Sequence, residues 1–174
     1  MSTQSWYMYC EIYLLASATP VKPRTLELDD FIRAQSTEIK DWLIRLDKFL
    51  RDNGCKAETK SERAYAYVAK KSKKRVCIIE NELENIFIQP SCYHSHAAKS
   101  TPVIFPESML TVFRNTHCIG CRENCIFGGP FTFTQNGENF AGCRAAAHGY
   151  KFSLDNAQER DAIWAWIEAE LAIN

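Results

Sequence analysis

The sequence predicts an α+β fold: an antiparallel sheet, built from a central meander plus a C-terminal hairpin and packed by amphipathic helices. Three observations carry that prediction. Apolar residues recur at helical spacing from Ile39 to Leu50. Short strand-like runs separated by polar turns follow from Ala64 to Ile88. Asn136-Gly137 then divides two more such runs ahead of a last helical segment.

The 174 residues fit one compact domain. Residues 1–24 read as an N-terminal arm or strand with its connector, and residues 25–174 as a single α+β domain. The composition, 46% hydrophobic and 24% charged, excludes a mainly disordered chain. Lys plus Arg and Asp plus Glu each number 21, so the formal net charge is zero. A protein that works by wrapping nucleic acid carries a basic excess, and nucleic acid is not an expected partner.

Trp6 to Leu15 is mostly apolar, and Ala16-Ser17-Ala18 has the spacing of a signal-peptide cleavage site. Glu11 interrupts the apolar run and no Lys or Arg precedes Lys22, so a buried strand or docked arm is the expectation. Pro20 and Pro23 mark the connector. Leu28 to Ala34 suits a short helix started by Asp29 or Asp30. The next helix is better defined. Ile39, Trp42, Leu43, Leu46, Phe49 and Leu50 paint one face of a 3.6-residue period. Ser36 or Thr37 can cap its start, and Gly54 stands where a left-handed residue ends a helix.

Ala64 to Ala69 alternates around Tyr65 and Tyr67, Lys70 to Lys74 is a polar turn, and Val76–Ile79 and Ile86–Ile88 are short apolar runs. These three segments predict an antiparallel meander. Glu107 to Phe113 predicts a helix with Pro106 at its first turn. Pro130–Thr134 and Glu138–Cys143 flank Asn136-Gly137, the pair that supplies the positive φ angles of a type I′ turn. A final helix is predicted from about Asn156 to Leu171. Asp155 and Gln158 are its capping pair, and Ile163, Trp166, Ile167 and Leu171 its buried face.

The strongest chemical signal is Cys118-x2-Cys121-x3-Cys125 followed by Cys143, half of the 8 cysteines. A Cys-x2-Cys knuckle directs two thiolates at one point, and zinc takes four thiolates in a tetrahedron. Gly120 relaxes the backbone inside the knuckle. Folding the hairpin about Asn136-Gly137 sets Gln135 against Glu138, Phe133 against Phe140, and Pro130 against Cys143. That register returns Cys143 to the neighbourhood of Cys125. Phe131, Phe133 and Phe140 then share the core face, and Cys143 falls on the other face with Thr132, Ala141 and Thr134. The expected cofactor is therefore one structural zinc on Cys118, Cys121, Cys125 and Cys143, with an iron–sulfur cluster as the alternative. A redox thiol pair and plain buried cysteines are the other readings. His117 is read as a neighbour of the site. Cys10, Cys55 and Cys77 are isolated; Cys77 reads as core and Cys55 as incidental.

Three further groups need weighing. Cys92, His94 and His96 share one face of an extended chain and can form a second metal site or an open catalytic one; a polar loop is the preferred reading. Lys70 to Arg75 is a basic run beside a Tyr65/Tyr67 strand that can offer stacking surfaces to bases; a solvated turn is preferred. His148 lies five residues after Cys143, but a metal-bound thiolate is no free nucleophile.

The expected function is a cytoplasmic, non-enzymatic binding or regulatory module with structural zinc, whose partner is an unknown small molecule or protein. The alternative is a thiol- or metal-dependent enzyme, redox or hydrolytic, using the Cys cluster or the Cys92/His94/His96 group. A nucleic-acid-associated zinc protein is the second alternative. No apolar run reaches the roughly 18 residues of a membrane-spanning helix, so no membrane association is expected.

Overall fold

The computed structural model describes residues 29, 33, 35–61, 63–82, 85–91, 103–115, 131–142 and 150–172. Among the described residues the architecture is α+β, with an antiparallel sheet of five strands, a separate two-stranded hairpin and three helices.

Helix α1 spans Thr37–Asp52. The Ser36 side chain accepts from the Ile39 amide, which satisfies one of the donors that a helix start leaves without a partner. Ile39, Trp42, Leu43, Leu46 and Leu50 are buried, as the periodicity predicts, while Phe49 is partly buried. Gly54 has φ +77 and turns the chain directly into a strand.

That strand, β1 (Cys55–Ser61), is an addition to the predicted meander. Its sequence, CKAETKS, has one fully buried position, Cys55, and alternates Lys56, Glu58 and Lys60 on one side. Such a polar strand suits the edge of a sheet, where charge discourages further pairing. Cys55, expected to be incidental, is therefore a core residue at 1% exposure. Strands β2 (Ala64–Ala69), β3 (Arg75–Glu82) and β4 (Asn85–Pro90) complete the meander. Strand β7 (Phe152–Ser153) joins as the far edge, giving the order β1-β2-β3-β4-β7.

Tyr65, Tyr67, Cys77, Ile79, Ile88 and Phe152 point to the face that the helices cover. Helix α1 lies against β1, and α3 (Ala157–Leu171) lies against β3 and β4. Burial of Tyr65 (4% exposed) and Tyr67 (0%) in this interface corrects the idea that they offer a stacking surface to bases. Ala66, Val68 and Ile78 alternate with them and belong to the opposite face.

The cap of α3 also differs from expectation. Asn156 is the N-cap and its side chain accepts from the Gln158 amide; Asp155 instead bonds the Ser153 hydroxyl. Ile163, Trp166 and Ile167 are buried, with Leu171 partly so. Arg160 is buried too. It donates to the Leu154 carbonyl and pairs with Glu38, tying α3 to the start of α1. The predicted 1–24 arm lies outside the described residues, as does most of the Leu28–Ala34 helix.

Candidate metal centre and its supports

The hairpin forms as the Asn-Gly pair predicts, but as a sheet of its own and not as an extension of the meander. Strands β5 (Phe131–Gln135) and β6 (Glu138–Gly142) pair antiparallel, one for one, from Gln135↔Glu138 to Phe131↔Gly142. Asn136 (φ 55) and Gly137 (φ 79) both hold left-handed backbone, the signature of the type I′ turn. This turn matches the right-handed twist of the strands, so no bulge interrupts the ladder.

Alternation along the hairpin divides its faces. Phe133 and Phe140 stack on one side, ring centroids 4.8 Å apart and 9° from parallel. Thr132, Thr134 and Asn139 are exposed on the other.

Helix α2 (Glu107–Asn115) covers the aromatic face. Its entry is fixed by a reciprocal clasp in which the Phe105 amide donates to Gln135 Oε1 (2.9 Å) and Gln135 Nε2 donates to the Phe105 carbonyl (2.7 Å). Phe113 sits at the centre of the packing, with Phe105, Phe133, Tyr150, Phe152 and Trp166 at centroid distances between 4.8 Å and 6.0 Å. These tilted and edge-on contacts add to the area that the rings bury. Through Phe152 and Trp166 the cluster reaches β7 and α3, so hairpin, α2 and main sheet share one core. The Arg114 guanidinium donates to both oxygens of Glu138 and to Glu107, and its carbon lies 5.4 Å from the Phe140 ring centroid. It holds the Glu138 carboxyl below the usual carboxylate range. The pair is exposed, so its contribution to stability is small.

Cys118, Cys121 and Cys125 fall in the segment between Asn115 and Phe131, and Cys143 follows Gly142; all four lie outside the described residues, as do His117 and His148. The Cys92, His94 and His96 group also lies outside them, directly after the buried Ser91. Among the described residues, no cluster of three or more His, Cys, Asp or Glu side chains can hold a metal ion. The described thiols, Cys55 and Cys77, are free and buried. Burial pushes both above the ordinary thiol value, so each stays protonated at neutral pH and is a poor nucleophile.

A polar clasp of titratable side chains lies elsewhere, between α1 and β2. Tyr67 donates to Asp47 Oδ1 (2.6 Å), Arg51 Nε donates to the same carboxylate (2.7 Å), and Arg51 Nη2 donates to the Tyr65 hydroxyl (3.1 Å). Desolvation, followed by the Asp47 bond, pushes the Tyr67 hydroxyl well up. The clasp locks α1 to β2. No helix among the described residues is long and apolar enough to cross a membrane. Compared with known proteins, the chain matches no family model, no curated protein and no solved structure.

Proposed function

We propose that the chain is a cytoplasmic binding or regulatory module in which Cys118, Cys121, Cys125 and Cys143 hold one structural zinc ion. The observation that carries this reading is the hairpin register. Phe131 pairs with Gly142 without a bulge. Continued by one step beyond the described residues, the same register would set Cys143 opposite Pro130, the pairing that the sequence predicts. By sequence alternation Cys143 is expected on the face opposite Phe133 and Phe140, where a thiolate would be available to the knuckle.

The supports of the segment favour a structural role. Its two ends are α2 and β5, and both are anchored in the aromatic cluster around Phe113. A loop whose ends are already fixed loses less entropy on closing around an ion. Four thiolates leave no open coordination position, so such a zinc stabilises a fold and does not activate water.

The test is elemental analysis of the purified full chain beside a Cys121→Ser variant. The reading requires metal in the parent, and both loss of metal and a lower melting temperature in the variant. Equal metal content and equal melting in the two proteins overturn it.

A further inference from the structure

The side of the sheet away from the helices carries a second feature. A shallow groove of about 380 Å³ is lined by Lys56 and Lys60 from β1, Val68 from β2, and Lys73, Lys74 and Arg75 from the β2–β3 turn and the start of β3. The register explains the assembly. Lys56 pairs with Val68, and Val68 pairs with Arg75, so three strands bring two cations to either side of one apolar residue. Lys60 lies four residues along the same face of β1.

Charge is not balanced there. Among the described residues that line it, Glu58 is the one carboxylate, against five cations. It is shared by Lys56 (2.6 Å) and Lys60 (2.8 Å), which hold its carboxyl down at about 2. Neither Lys73 nor Arg75 has a carboxylate within ion-pair distance among the described residues, and Arg75 Nε is buried without a hydrogen-bond partner. A chain of zero net charge has thus gathered five cationic side chains and one carboxylate, among the described residues, around one concavity.

From this arrangement we infer that the groove is a binding site for a small soluble anion bearing clustered phosphates, such as a polyphosphate or a multiply phosphorylated metabolite. Several cations converging on one concavity suit a compact, highly charged ligand. A single-stranded nucleic acid fits less well. It needs aromatic platforms, and no aromatic side chain among the described residues lines the groove, Tyr65 and Tyr67 being buried on the opposite face. The inference uses none of the cysteines, so a metal-free protein would leave it standing.

The test titrates the full chain with inorganic tripolyphosphate at low salt and reads backbone amide shifts. Saturable binding is expected, with shifts centred on β1 and residues 70–75 and weakening as salt is added. The double variant Lys60→Gln/Lys73→Gln, both residues being exposed, should bind about tenfold more weakly. Glu58→Gln should bind about twofold to threefold more tightly, since a nearby repelling charge is removed. A merely solvated turn predicts no such gain. Absence of saturable binding, or affinities that neither variant changes, overturns the inference. Tight binding of an RNA duplex that excess tripolyphosphate fails to displace overturns it as well.

Discussion

The Tyr67 hydroxyl donates to Asp47 Oδ1 at 2.6 Å, and this bond fastens a fully buried residue of β2 to the middle of α1. Its two ends are unequal. Asp47 keeps Arg51 as a second partner, whereas Tyr67 is fully buried. Tyr67→Phe is therefore expected to cost about 1 kcal/mol. Asp47→Ala, which removes both the acceptor of the buried Tyr67 hydroxyl and the partner of Arg51, is expected to cost about 2 kcal/mol. Urea unfolding of the two variants checks the order; equal losses would contradict it.

The Asn136-Gly137 turn gives a cleaner case. A side chain added at Gly137 meets no atom within 4 Å, so the cost of Gly137→Ala is backbone strain alone at φ +79. A loss of about 1 kcal/mol is expected, and less for Gly137→Asn, because Asn tolerates left-handed backbone better. Chemical denaturation of both variants measures the difference.

Phe113 joins the hairpin to the rest of the core. Phe113→Ala should cost about 3–5 kcal/mol, since it opens a cavity among five rings. Hydrogen exchange should show β5 and β6 losing protection more than β2 and β3, since β2 keeps its Tyr67–Asp47 bond to α1 and pairs along its length with β3. Uniform loss across both sheets would contradict the hinge role given to Phe113.

These elements were not equally legible in the sequence. Helix α1 and the Asn-Gly turn were readable because one rule decides each, apolar period in the first and positive φ in the second. Strand β1 was not, because an edge strand half made of Lys, Glu and Thr carries little apolar alternation. The helix α3 start was read one residue early: Asp155 and Asn156 are both good caps, and the Ser153 hydroxyl, a tertiary detail, engages Asp155. The basic groove was half visible. Lys70 to Arg75 stands out along the chain, but Lys56 and Lys60 join it only through strand register. In the candidate metal centre, knuckle spacing and hairpin register were legible from residue types, whereas the element was not, since zinc and iron–sulfur clusters both take thiolates.

The choice of cap is itself testable. Asn156→Ala should cost about 1 kcal/mol, the usual loss when an N-cap oxygen is removed. Asp155→Ala should cost less than half of that, because the exposed Asp155 side chain accepts from the Ser153 hydroxyl and caps no helix amide. Thermal melts of the two variants give the ranking.

Alkaline stability follows from the buried thiol of Cys77. Desolvation raises it above its ordinary value of 9.0, so the folded chain holds this proton more tightly than the unfolded chain does. The stability is then complete below pH 9 and falls as pH rises beyond it, by up to about 1.4 kcal/mol per unit for one proton. Cys77→Ala should lose some stability at neutral pH and show a shallower decline between pH 9 and about 11. Urea midpoints across that range check the slope; parallel curves for parent and variant would contradict it.

X-ray absorption at the zinc edge tests the four-thiolate account most directly, on the full chain and on Cys143→Ser. The account predicts one zinc per chain with four sulfur neighbours at about 2.3 Å in the parent, and loss of the metal or of one sulfur in the variant. A parent protein without zinc, or a sulfur shell that Cys143→Ser leaves unchanged, would contradict it.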